Sequence, residues 1–433
     1  MSRAPPHVPG LPIIGSGLAF FRDPVDCIRR ASEQMGPVFT ISVGPKKVAC
    51  VVGPEPSEQF LRQPGTVLSV NLATKALRPV IGQIGFPDDE NEHRWLLRAL
   101  TPLMSPRLMD QHVVVMLEQA ARAVAELGDV GRLELVGFTE RLSQTLAMRC
   151  LLGDQFVERV GERFREAYAD LVDSVDLFLP PSLPLPKFRR RDRARRYIDQ
   201  IVIRAVQERR AMGAPPDDAM QRLSTLRSDD GSYRSMQDTV DLIVTVLFGG
   251  HHTTGALMAW TMIHLLQHPE PLARVQEEID RESPSDRRAL ERMAYLCAAI
   301  RESERLQPPT SIIPRIARQD LEIGGYRIRK GWMVLLCPPV AHRLASVFED
   351  PGRYDPERFL GKITPPRYAL VGFGGGVHAC IGKSFASLAV QSFVASLLRS
   401  FEIALVDTPQ VGRGVLRRPA TPCRLSFRSR ESD

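Results

Sequence analysis

Aromatic residues make up only 6% of this 433-residue chain, and cysteines number seven. The cysteines, at positions 27, 50, 150, 297, 337, 380 and 423, are scattered and form no C-x-x-C pair. That spacing argues against a disulfide framework and a structural zinc site, and leaves at most one cysteine in need of a chemical role. No uninterrupted apolar run approaches the ~18–20 residues of a membrane-spanning helix. The opening MSRAPPHVPGLPIIGSG has one arginine, scattered prolines and no long apolar stretch, so it does not read as a secretory signal. A cytoplasmic protein with no membrane anchor is the expectation. Zinc-finger and RNP patterns are missing too, so the net charge of +7 is not read as nucleic-acid binding. The dense basic run Lys187 to Arg196 (KFRRRDRARR) reads first as a solvated helix face. An acidic protein partner is the functional use left for the charge.

The composition that is present, 43% hydrophobic and 25% charged, is globular and rules out disorder, collagen and coiled coil. The length exceeds the ~250–300 residues at which one core stops growing, so it implies two domains or one large fold around a cofactor or cleft. No repeat or clean linker divides it, and 1–433 is read as one domain. Residues 22–35 have helical spacing, and GPVFTISVGPKKVACVVG reads as a β-hairpin. Helical periodicity runs from about 90 to 305 and again over 381–400. The proline-rich LPPSLPLPKF (179–188) interrupts the first stretch as a surface crossing. Strand-like segments cluster at about 37–60 and 310–345. The pattern predicts a mainly α fold with a small β region.

Residues 235–268 read as one long helix, apolar all round at its centre and therefore interior. Gly249 and Gly250 in that centre cost roughly 1 kcal/mol each relative to alanine, so something bulky is expected to approach the backbone there. The second informative stretch is 372–386, Gly-Phe-Gly-Gly-Gly-Val-His-Ala-Cys-Ile-Gly-Lys-Ser-Phe-Ala. Its glycines allow a sharp turn with inward N–H groups. Cys380 then sits just ahead of a helix, where a thiolate is favoured by the dipole. Gly382 lets a large flat object lie against that helix. Glycines and cysteine alone fit a buried structural cysteine equally well.

Phe373, Gly376, His378, Cys380 and Gly382 stand as F-x-x-G-x-H-x-C-x-G, which resembles the haem-binding loop of the cytochrome P450 superfamily. In that family the cysteine thiolate is the proximal iron ligand, a role the resemblance assigns to Cys380. It places Phe373, Gly374 and Gly382 around the cofactor and His378 at a propionate. Glu302-Ser-Glu-Arg305 resembles the family's E-x-x-R helix, and Asp355-Pro-Glu-Arg358-Phe its P-E-R-F segment, which implies an ion triad of Glu302, Arg305 and Arg358. Arg315 matches a strand arginine that pairs with a propionate. His93 matches the start of an H-x-x-x-R clamp whose arginine position holds Leu97, leaving Arg94 or Arg98 to substitute.

Gly249-Gly-His-His252-Thr253-Thr resembles the family's oxygen-activating motif. Thr253 is then the proton-relaying hydroxyl, and His252 fills the usual acid position, a role a near-neutral pKa would suit. Gly-His-His-Thr is similar to the bacterial sterol 14α-demethylase branch, and Pro79 to Phe86 more faintly so, but Thr74 and Pro87 depart from that branch. The likeness is read as ancestry rather than substrate.

The resemblance implies haem b, with electrons from NAD(P)H through a separate ferredoxin and ferredoxin reductase, which Lys383 could steer. It implies that O₂ and two electrons oxidise a medium-sized, partly apolar natural product. The pocket is expected from Leu77, Ile84, Phe86, Leu247, Gly250, Ser311, Ile312 and Ile313, and from residues around 172–180. Asn71, Gln83, Thr310 and Ser311 would orient a polar group. Hydroxylation, oxidative ring closure and sterol demethylation stay open, as does a non-catalytic haem sensor or carrier.

Overall fold

The computed structural model describes residues 3–82, 84–176, 179–361, 365–412 and 416–430. Gln83 and residues 177–178 of the expected pocket lining lie outside them. The architecture is mainly helical with small sheets.

The hairpin forms where the β-rich runs predict it. Val38–Val43 and Lys46–Val51 pair antiparallel, with Val38 opposite Val51. The hairpin belongs to a five-stranded sheet in the spatial order Val38–Val43, Lys46–Val51, Met333–Leu336, Ile313–Ala317, Leu68–Ser69. The early and late β-rich regions therefore share one sheet, and Arg315 enters the structure on its fourth strand. A second sheet joins Val130–Glu134, Arg424–Ser429 and Phe401–Leu405.

Many helices begin on proline, among them Pro24–Met35, Pro54–Leu61, Pro106–Ala125 and Pro269–Glu282. A first-turn N–H has no helical partner, so proline loses nothing there. The same rule moves one boundary. The surface crossing stops at residue 185, and Pro186–Ala211 forms one helix that takes in Lys187 and Phe188.

The long central helix is two helices, Met236–Gly250 and His252–Gln267, broken at His251 (φ −93°, ψ −84°). Together they are long and apolar enough to cross a membrane by length and composition, but 61% of the most apolar window is buried inside the protein. They form its axis. Gly255 permits close packing there, since a Cβ on it would lie 2.8 Å from Ser143 Oγ on the helix Leu135–Leu152. On another side the axis packs on Lys383–Ser400, and Leu257, Met258, Phe393 and Leu146 meet in one core cluster.

Candidate active site

The cysteine loop is shaped by backbone alone. Gly374 (φ 71°) and Gly376 (φ 62°) are left-handed, a conformation open to glycine at little cost. A Cβ on Gly376 would also collide with the Leu61 carbonyl. The Gly374 N–H donates to Val371 O at 2.9 Å, and the Cys380 N–H donates to Phe373 O at 2.9 Å. The loop thus folds back on itself and delivers Cys380 to the start of Lys383–Ser400. Cys380 is exposed, whereas the other described cysteines are buried or half-buried. Protein nonetheless crowds around the thiol. That crowding pushes the thiol pKa up, as does Glu304, while the Gly382 N–H and Lys383 pull it down.

The loop is braced from below. Arg305 is fully buried and forks onto Glu302, Nε to Oε2 at 2.7 Å and Nη2 to Oε1 at 2.7 Å. Arg358 stands 3.4 Å from Glu302, so the expected triad is assembled. A residue the motifs did not show, His342, links it to the loop. Its Nε2 accepts from the Val371 N–H at 2.8 Å, and its Nδ1 faces Arg305 O at 3.3 Å. Burial pulls its pKa down to about 3, which keeps Nε2 a free acceptor at neutral pH.

His93, His378 and Arg315 converge beside the loop. The His93 and His378 rings lie 4.6 Å apart, and His93 Nε2 donates to Val377 O at 2.8 Å. Burial, then Arg315, then His93 lower the His378 pKa to about 3. Arg315 is buried, which brings its pKa down to about 10. Its guanidinium donates to Pro314 O at 2.9 Å and joins no ion pair among the described residues. His93 Nδ1 and His378 Nε2 are buried without partners. The Arg315 guanidinium and the His378 Nε2–H are two underused donors in one corner, which suits an anionic, acceptor-rich group.

Arg98 does not belong to this corner. Its guanidinium pairs with Asp229 at 2.6 Å on the surface, and Arg94 turns to Asn91 and Glu90. His93 and Leu97 share one face of the helix Glu90–Leu100, and residue 98 is rotated ~100° from Leu97.

Across from the loop, the break in the central helix sets the second half of the site. Gly249 is exposed two residues after buried Leu247, and a Cβ on it would find no atom within 4 Å. A Cβ on Gly250 would lie 3.9 Å from Phe385, five residues beyond Cys380. The Thr253 hydroxyl spans the break and donates to Gly249 O at 3.1 Å. His252 has both ring nitrogens buried without partners. Burial and Arg418 pull its pKa to about 4, against the opposing pull of Asp173. The near-neutral pKa expected of it is therefore overturned: His252 is uncharged at pH 7. His251 turns the other way, toward Glu140 O at 3.1 Å, and its ring is 5.7 Å from Tyr168.

Glu304 is a buried acid that motif reading passed over. It abuts Gly372, where a Cβ would come within 2.5 Å of its Oε1. Burial raises its pKa to about 7, while Lys383 and Arg301 pull it down.

The pocket residues fall into two groups. Leu77, Ile84, Phe86 and Leu247 share one apolar cluster, and Ile312 and Ile313 join the sheet core, with Ser311 fully buried beside them. Gly250 lies at the break in the helix axis. Asn71 is occupied structurally: its amide donates to Phe86 O at 3.1 Å and its carbonyl accepts from Arg78. The segment over the site is pinned by Arg195, which donates to Val80 O at 2.7 Å and pairs with Asp199 and Asp241. Thr245 Oγ1 adds a bond to Ile81 O at 3.0 Å. Four residues of the basic run form ion pairs, Lys187 with Asp176, Arg190 with Asp170, Arg191 with Asp192 and Arg195 as above, while Arg189, Arg193 and Arg196 face solvent. Lys383 remains exposed at the cysteine side.

A flat, iron-bearing, dianionic group fits this set: one accessible cysteine, two underused donors, and a glycine-lined helix facing the loop. The comparisons agree. The sequence model described as Cytochrome P450 matches residues 5–419. A sterol 14alpha-demethylase of Mycolicibacterium vanbaalenii is 28% identical, over 96% of this chain and 95% of its own. An obtusifoliol 14-alpha demethylase of Triticum aestivum is 29% identical, over 94% and 93%. Among solved structures, retinoic acid-bound cyanobacterial CYP120A1 superposes with a TM-score of 0.87 at 24% identity, covering 99% of this chain and all of that one.

Proposed function

This chain belongs to the cytochrome P450 family and is a haem b monooxygenase supplied with NAD(P)H electrons through a redox partner; from that premise we propose that it oxidises a medium-sized, partly apolar small molecule in natural-product biosynthesis. The reaction is hydroxylation or intramolecular oxidative coupling, and 1–433 acts as one catalytic domain. When bound, haem supplies the reductive use of O₂ to oxidise an unactivated C–H bond. Cys380 ligates the iron from the loop. Arg315 and the His378 Nε2–H bind the propionates beside His93, and Phe373, Gly374 and Gly382 shape the cysteine side. Glu302, Arg305 and Arg358 hold that loop in place through His342. Thr253 Oγ1 delivers protons into the cleft by rotating away from Gly249 O. His252 works as a neutral relay, accepting at one ring nitrogen and donating at the other.

The observation that carries the substrate class is the apolar cluster of Leu77, Ile84, Phe86 and Leu247 beneath a pinned roof. It excludes water and offers few polar handles once Asn71 is engaged. Electrons enter on the cysteine side, where exposed Lys383 receives an acidic ferredoxin. The protein works in the cytoplasm.

Sterol 14α-demethylation is the second reading, favoured by the names of the relatives and by Gly-His-His-Thr. The first experiment is the carbon-monoxide difference spectrum of the reduced protein. A strongly red-shifted Soret band supports Cys380 ligation, and a band at the histidine-ligated position overturns it. Spin-state titration with sterols and with terpenoid, polyketide and peptide panels then separates the two readings. Product mass distinguishes coupling, which loses two hydrogens, from hydroxylation, which gains one oxygen. A carrier or sensor would consume no NADPH or O₂ with any of them.

A further inference from the structure

The roof of the cleft carries a cation for which the oxidation chemistry has no use. Arg78 opens the single-turn helix Arg78–Ile81, which Arg195 pins at Val80 O and Thr245 at Ile81 O. Arg78 itself is half-buried. Its Nη2 donates to Asn71 Oδ1, and the Asn71 amide in turn donates to Phe86 O at 3.1 Å. Phe86 and Leu77, the residue before Arg78, pack on the apolar cluster that holds Leu247. Arg78 therefore stands at the edge of the wall read as the substrate lining. Its Nε is buried and meets no hydrogen-bond partner.

Arg305 is the satisfied form of the same group. There Nε and Nη2 make one edge, and Glu302 meets it with both carboxylate oxygens. At Arg78 that edge has a neutral amide oxygen at Nη2 and no acceptor at Nε. Among the described residues Arg78 joins no ion pair. Two acids beside the roof are committed to other groups. Asp88 accepts from the Ser69 hydroxyl, from the Asn71 N–H at 3.1 Å and from Arg318 at 3.3 Å. Asp241 pairs with Arg195. A guanidinium keeps its charge in any protein environment, so placing it against apolar side chains is costly unless an anion pairs with it. Each Nη carries two N–H groups, so the bond to Asn71 leaves a fork of donors open. Parallel donors at the rim of an apolar cleft match a carboxylate bidentately. Asn71 fixes the orientation of that fork, and a ligand then loses less affinity to ordering the side chain.

We propose that Arg78 is a specificity residue for a substrate carboxylate: the molecule oxidised is an apolar organic acid, its carboxylate on the Arg78 fork and its carbon skeleton against Leu77, Phe86 and Leu247. The inference rests on the small-molecule oxidation proposed above and narrows its substrate class. The test is spin-state titration of the holoprotein with abietic, palmitic and mycophenolic acids, each paired with its methyl ester. At least one acid should bind about tenfold more tightly than its ester. Arg78→Met should abolish that preference with the carbon-monoxide spectrum intact. Arg78→Lys, which keeps the charge and loses the fork, should restore part of it. The absence of any acid preference in the wild type overturns the anchor, and so does a preference that survives Arg78→Met. Haem propionates are the other source of carboxylate. Esters that bind as well as acids, together with faster haem transfer from Arg78→Met than from wild type to apomyoglobin, would assign the fork to the cofactor and overturn the proposal. Product formation from neutral compounds separates this failure from failure of the premise: a protein that oxidises them without preferring any acid loses the anchor and keeps the monooxygenase reading.

Discussion

The two walls of the active-site cleft are built by different means. The cysteine wall is local. Gly374 and Gly376 take conformations side chains resist, the loop bonds to itself, and its anchors Glu302, Arg305 and His342 are buried. The roof is held from a distance. Arg195 and Thr245, from two other helices, grip the carbonyls of Val80 and Ile81, and Asn71 and Arg78 close it internally. A wall made of backbone constraints tolerates few sequences and keeps one chemistry. A wall made of side-chain pins can be re-cut residue by residue, and there substrate choice is free to vary.

The largest expected effect lies on the cysteine wall. Cys380→Ser should lose the thiolate spectrum altogether, and an unchanged red-shifted carbon-monoxide band would remove Cys380 as ligand. Thr253→Ala should leave that spectrum intact and uncouple the reaction, with product per NADPH falling about tenfold or more. If coupling stays complete, the proton comes from His252 or the substrate.

On the roof, Arg195→Met should destabilise the fold by about 3 kcal/mol, because it strips buried Asp241 of its ion-pair partner. It should also raise the substrate's KM more than it lowers kcat. A stable variant with a normal KM would show that the pin does not hold the roof.

Glu304→Leu probes the cysteine wall by pH, and its effect is confined to one pH window. Burial raises this acid from 4.5 to about 7 in the folded protein. Between those values the unfolded chain has released a proton that the folded chain retains. Raising the pH through that window therefore costs the wild type up to roughly 3 kcal/mol, and the loss levels off above pH 7. The variant lacks this slope, so its stability advantage should grow from pH 4.5 to 7 and then stay constant. Urea unfolding of both holoproteins at several pH values reads it directly, and parallel curves would mean that Glu304 is ionised and solvated.

How legible each feature was follows from how locally it is caused. The hairpin and the cysteine loop are visible because turn residues and glycine spacing act within a few bonds. The helix break was missed because nothing in HHTT marks it; it shows as a hydroxyl bond from Thr253 to Gly249 O across His251. Arg98 was misread as a clamp although helix phase alone would have excluded it, since His93 and Leu97 share a face that residue 98 does not. Glu304 could not be told from Glu302 by type or spacing. One meets Arg305 and the other meets Gly372, and that depends on what each helix face is packed against.

The sequence by itself determined the mainly α class, the turn of the cysteine loop and the residues of the ion triad, because those depend on backbone freedom and on side-chain types at short spacing. The tertiary structure alone decided that His252 is uncharged, that Glu304 sits beneath the loop, that Arg195 of the basic run is spent on holding Val80 and Asp241, and that Ile13 points outward. Each is a matter of burial and of which distant atoms arrive beside a group. Desolvation and pairing energies arise only when the chain has folded around them.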